Sequence, residues 1–177
     1  MSSAPVEAGP VLVAPDTGET PAVDDPALDA ALSTPVEDSV YPAVGDPGVD
    51  ALHYDLGLAW DPQASVLTGH ETLVFRATAD DTSFQLDFSP ALAVTGVLLD
   101  GEEVEAEQQG KDLVVVAPVE QDVRYTLVVD YAGTPEPVPA PTTRSDFDTN
   151  GWTTMRDGST WTMQEPSGAY SWYAVND

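Results

Sequence analysis

From Asp50 onward the chain alternates apolar and polar residues with a period of two, the pattern of strands that bury one face. In LHYDLGLAW the residues Leu52, Tyr54, Leu56, Leu58 and Trp60 fall on one face, and His53, Asp55, Gly57 and Ala59 on the other. The turn chemistry of DPQA follows at Asp61 to Ala64. VLTGHETLVFRAT then resumes with Leu67, Leu73 and Phe75 in phase across Gly69, which marks a bulge or a close approach. These two runs predict a hairpin.

SFQLDF predicts a third strand, and Asp100-Gly101 between VTGVLL and EEVEAE is the strongest short hairpin signal in the chain. A further turn at QQGKD leads into LVVVAP, and RYTLVVDYAG places Tyr125, Leu127, Val129 and Tyr131 on one side. WTTMR and STWTMQE form a last hairpin around Asp157-Gly158. Seven or eight strands without a helix of ordinary length between them define an all-β antiparallel meander or sandwich. The connection from Gly133 to Gly151 is long for a compact domain, and its prolines favour an extended path over a neighbouring surface.

The first 37 residues have no such period. Eight of the 16 prolines fall within the first 50 residues, together with ten Asp and Glu, no Lys or Arg, and a single aromatic, Tyr41. Like charges and little apolar surface predict a disordered leader over 1–37 and a β-domain over 38–177. Within the leader, Asp25 to Ser33 can form two helical turns capped by Asp25, too short to persist alone.

The formal net charge is -26, with five basic residues in 177. Nucleic acid is excluded as a partner, because binding phosphates requires Lys and Arg to displace counterions. An anionic membrane surface is disfavoured for the same reason. No apolar run reaches the roughly 20 residues of a spanning helix, and no cysteine is present for a disulfide, a thiolate nucleophile or a Cys-ligated metal. MSSAPVEAGPVLVAP lacks the basic start and long apolar stretch of a signal peptide. The cellular address stays open: secreted or cell-surface if a signal preceded Met1, cytoplasmic otherwise.

Local signals for chemistry are sparse. His53 and His70 sit on separate strands without a ligand-like neighbour, so both read as polar-face residues. Asp146, Asp148, Asn150, Gly151 and Asp157 follow the spacing of a calcium loop, but flanking helices are missing and Asp stands where a bidentate Glu is usual. Calcium and an ordinary acidic loop both remain readings of that stretch. There is no H-E-x-x-H, no glycine-rich phosphate loop and no local nucleophile signal, so no catalytic or metal-ligating residue is assigned. The end of the chain, TMQEPSGAYSWYAVND, with Trp161 just ahead of it, concentrates Trp161, Tyr170, Trp172 and Tyr173 near a lone Glu165; apolar area of that size either folds back on the sheet or contacts a missing domain.

That last segment resembles the aminopeptidase N family of zinc metallopeptidases, at the end of its N-terminal β-domain. The family pattern T-Q-x-E-x-x-x-A-R-x-x-F-P-x-x-D is matched in its columns by Thr162, Glu165, Ala169, Tyr173 and Asp177. HYDLGLAWDP, LTGHETLVF, LDF, VVDYAGTP and GWTTMRDG are similar, in order, to the family's upstream strands, so the likeness spans about Asp38 to Asp177. It implies a saddle-like β-domain whose zinc-bearing catalytic domain, in the same polypeptide, is absent from this sequence. The partners implied are that domain and a peptide substrate with a free N-terminus.

In the family, the Glu of T-Q-x-E binds the substrate's α-ammonium group, and Glu165 matches it. Met163 stands where the family's Gln lines the first side-chain pocket, with Gln164 displaced by one position, while Tyr170 and Ala174 replace its Arg and Pro. On this resemblance the chain alone is not catalytic and holds no zinc. The rival is a non-enzymatic β-sandwich binding module on an acidic stalk, with Trp152, Trp161 and Trp172 as a ligand platform.

Overall fold

Eleven strands form among the described residues, 20–140 and 148–176, of this computed structural model. They are β1 (Val49–Asp61), β2 (Val66–Ala77), β3 (Phe84–Asp87), β4 (Leu92–Leu99), β5 (Glu102–Glu103), β6 (Glu105–Gln109), β7 (Asp112–Val116), β8 (Arg124–Gly133), β9 (Val138–Pro139), β10 (Thr149–Thr154) and β11 (Thr160–Met163). Every pairing is antiparallel. A five-stranded sheet runs β1-β2-β8-β4-β5, and two three-stranded sheets run β3-β7-β6 and β11-β10-β9. The all-β expectation holds, and no described helix is long and apolar enough to cross a membrane.

The core lies where the five-stranded sheet faces β3 and β7. Leu73, Phe75, Leu127, Val129 and Tyr131 on one side meet Phe84, Leu86, Phe88, Leu113 and Val115 on the other. Phe75 to Phe84 and Phe88 to Tyr131 are ring pairs at 4.9 and 5.1 Å. The hairpins predicted at Asp100-Gly101 and at Gly110 form as two-residue turns, closing β4 on β5 and β6 on β7. Gly69 is a close approach rather than a bulge: a Cβ there would lie 2.0 Å from the Tyr131 ring.

One face assignment needs correction. The β1–β2 register shifts between Ala51 and His53, so Leu52 is the extra residue of a bulge. Tyr54, Leu58 and Trp60 pack on the main core, whereas Leu52 joins Leu28 and Val74 on the outer face. A period-two reading cannot see an inserted residue, because the alternation in the sequence is unbroken while the backbone turns over.

Residues ahead of the expected boundary at Asp38 also contact the sheet. Thr20 to Ser33 cross the outer face of the sheet, and Pro26–Ala31 forms a 3₁₀ turn whose cap, Asp25, accepts a hydrogen bond from the Ala27 amide at 2.8 Å. Leu28 fills the outer cluster with Leu52 and Val74. The rest of the fastening is polar. Both oxygens of buried Asp50 accept from Ser33, and Arg76 donates to Asp50 and to the Ser33 carbonyl. Arg124 donates to Asp29 and to the Val23 carbonyl. Composition missed this because the holding groups are arginines on β2 and β8, far away in sequence. The expectation for 1–19 lies outside the described residues.

Candidate functional site

The end of the chain is built by two strands and a loop. β10 and β11 form the last hairpin, with Trp152 opposite Thr162, Thr153 opposite Trp161 and Gly151 opposite Met163. On the other side Asn150 pairs with Val138 of β9. Pairs alternate in face, so Trp152 turns inward while Trp161 and Met163 turn outward. Trp152 is buried against Trp60 and Trp172, whereas Trp161 is 45% exposed. The three indoles of the rival reading therefore do not share one surface.

Past β11 the chain makes a turn and a short 3₁₀ segment, Ala169–Ser171. Gln164 and Glu165 are exposed, Met163 is half-buried, and the Glu165-Pro166 peptide is cis. The Glu165 carboxylate has no hydrogen-bond or ion-pair partner among the described residues, while the backbone around it is held closely. The Glu165 carbonyl lies 3.5 Å from Asn150 Nδ2. Gly168 donates its amide to the Gln164 carbonyl, and its carbonyl accepts from Ser171 Oγ at 2.8 Å. Ser171 Oγ in turn accepts from the Trp152 amide at 2.8 Å. Gly151, at φ +84, presses on this loop so closely that a Cβ would sit 2.3 Å from Ser171 Oγ. The left-handed backbone and the missing space both require glycine there.

The four aromatic residues of this segment separate. Trp172 and Tyr173 fold back onto the sheet: their rings are 4.5 Å apart, and Tyr173 meets Tyr54 edge-on at 5.7 Å. Of the four, Trp161 is the one exposed. The backbone beyond is hooked to the sheet's inner face. Tyr131 donates to the Trp172 carbonyl, Glu71 accepts from the Ala174 amide, and Val175 pairs with Asp87. Asn176 donates to the carbonyls of Asp46 and Val49.

Glu71 is fully buried, with Oε2 on the Ala174 amide at 2.8 Å and Oε1 without a partner. Loss of hydration pushes its pKa up to about 8, only partly offset by the Ala174 bond. It was legible: it occupies the inward phase of β2, between Gly69 and Leu73, where a carboxylate has no place in a plain core. Ser171 and Asn150, the residues that hold the loop, give no such signal.

The other candidates resolve simply. His70 faces Asp130 across β2 and β8, at 2.7 Å, and His53 lies farther along β1. Asn150 is on a strand that separates it and Asp148 from Asp157, which sits in the next turn and accepts from Ser159. An extended strand does not wrap an ion, and Asp146 lies outside the described residues. No group of three or more His, Cys, Asp or Glu side chains fit for a metal ion occurs among the described residues.

The fold is similar to that of the β-domain of solved zinc metallopeptidases of the M1 type. An M1 zinc metallopeptidase from Deinococcus radiodurans, solved with a Tyr-Ser-Ala substrate, matches at 29% identity and TM-score 0.68, over 81% of this chain and 32% of that one. A two-domain M1 zinc metallopeptidase bound to L-arginine matches at 29% and 0.69 over the same shares. Leukotriene A4 hydrolase from Saccharomyces cerevisiae shares the fold at 20% identity and TM-score 0.51, over 73% of this chain and 21% of that one. This chain thus spans about a third of the length of the M1 peptidases it matches. No protein-family model and no curated protein sequence matches it.

Proposed function

We propose that this chain is the N-terminal domain of a zinc aminopeptidase, in which Glu165 binds the α-ammonium group of a peptide substrate. The observation that carries this reading is the contrast at Glu165: an exposed carboxylate without a partner among the described residues, on a closely held backbone. An exopeptidase must recognise a cation at the chain end, and a carboxylate presented to a partly dehydrated cleft does so through charge-assisted hydrogen bonds. Half-buried Met163, two residues earlier, offers an adaptable apolar contact for the first side chain, and Gln164 flanks it.

The likeness to M1 zinc metallopeptidases supports the wider reading. In such an enzyme zinc polarises the scissile carbonyl and activates water. No group of three or more His, Cys, Asp or Glu among the described residues fits the metal; on this reading its ligands would come from a catalytic domain of the same polypeptide, and this chain would contribute binding and orientation. The gene provides the test. H-E-x-x-H encoded about 150 residues beyond Asp177 supports the proposal; a decayed motif indicates a non-catalytic relative, and a stop codon after Asp177 a binding module.

A further inference from the structure

Ser171 is fully buried, yet its hydroxyl is used as a connector: it donates to the Gly168 carbonyl and accepts from the Trp152 amide, both at 2.8 Å. Asn150, 1% exposed, lies on the other side of the same loop, with Nδ2 toward the Glu165 carbonyl at 3.5 Å and Oδ1 without a partner. The backbone is thus tied at Glu165 itself and again three residues on, to two positions of one strand. Gly168 closes the gap between the ties, since a Cβ there would lie 2.6 Å from the Gly151 nitrogen.

We infer that Ser171 and Asn150 are positioning residues that fix where Glu165 presents its carboxylate; this rests on the reading of Glu165 above. A hydrogen bond to an ammonium group weakens steeply as distance and angle drift, so a binding carboxylate on a loop needs a locked base. Here the base is locked by buried side chains while the carboxylate is exposed and, among the described residues, unpartnered. Both positioning side chains are buried and so are not offered to a ligand.

The test is a double-mutant cycle in the polypeptide that carries the catalytic domain, with an aminoacyl-p-nitroanilide as substrate. Ser171→Ala is expected to lower kcat/KM about tenfold in the native background and less than about twofold in a Glu165→Gln background, because the positioned group is already lost. Asn150→Ala, which removes one long contact, is expected to show the same coupling at smaller amplitude and serves if Ser171→Ala does not fold. A purely structural role lowers activity equally in both backgrounds, and that result, or no loss in either, overturns the inference while leaving Glu165 as the anchor. If Glu165→Gln alone leaves kcat/KM within threefold, the reading of Glu165 fails, and the positioning role fails with it.

Discussion

Two segments fasten onto opposite faces of the five-stranded sheet, and the chemistry differs between them. On the outer face, Thr20 to Ser33 are held by Arg76, Arg124 and the carboxylates of Asp50 and Asp29, with Leu28 the one residue of the 3₁₀ turn that is buried. On the inner face, Trp172 to Asn176 are held by packed rings, by buried Ala174 and Val175, and by side chains that hook main-chain groups. Two of the five basic residues of a chain with net charge -26 are committed to the outer segment. The inner fastening needs no cation, so salt should separate the two.

The largest effect is expected at Arg76. Its partner Asp50 has a side chain only 2% exposed. Arg76→Leu leaves that carboxylate with Ser33 alone, and the loss of one partner of a buried pair is expected to cost about 3–5 kcal/mol, measured by urea unfolding of the chain. A cost under about 1 kcal/mol would mean that the outer segment contributes little to the fold.

On the inner face the expected signature is pH. Glu71 is buried beside the Ala174 amide and within electrostatic reach of Tyr131, with Leu56 and Val129 as its cross-strand neighbours. Its folded pKa is raised from 4.5 to about 8. The folded state therefore keeps a proton that the unfolded chain has released. Stability from this group is complete below pH 4.5 and falls as pH rises toward about 8, by at most about 1.4 kcal/mol per pH unit. Glu71→Gln should flatten that slope and stabilise the protein at pH 8. An unchanged slope would place the pH dependence elsewhere.

The smallest effect belongs to Arg124, whose partner Asp29 is 62% exposed. Arg124→Gln is expected to cost no more than about 1 kcal/mol at low salt and to fade at high ionic strength. A salt-independent loss would show that the guanidinium acts through packing instead.

What the sequence revealed follows from which forces leave a period. Burial against a flat sheet does, so the phases of β2 and β8, the hairpin turns and the all-β class were legible from Leu73, Phe75, Leu127 and Tyr131. The bulge at Leu52 was not, because one inserted residue shifts the face without breaking the alternation. The outer segment was hidden because its ties join residues such as Ser33 and Asp50 to an arginine elsewhere in the chain. At the candidate site Glu165 could be singled out by resemblance, but Ser171 reads as an ordinary small residue until the fold brings it beneath Trp152 and Gly168.

The role of Glu165 is tested most directly by Glu165→Gln in the polypeptide with its catalytic domain, assayed on a peptide with a free amino end. The substitution keeps the shape, removes the charge and, at an exposed position without a partner among the described residues, should change stability by no more than about 0.5 kcal/mol. The predicted result is a fall in kcat/KM of about 30- to 1000-fold, the scale of losing a charged partner in a desolvated pair. A kcat/KM within threefold of the unaltered enzyme would contradict it and leave the likeness of fold as the only link to the M1 peptidases.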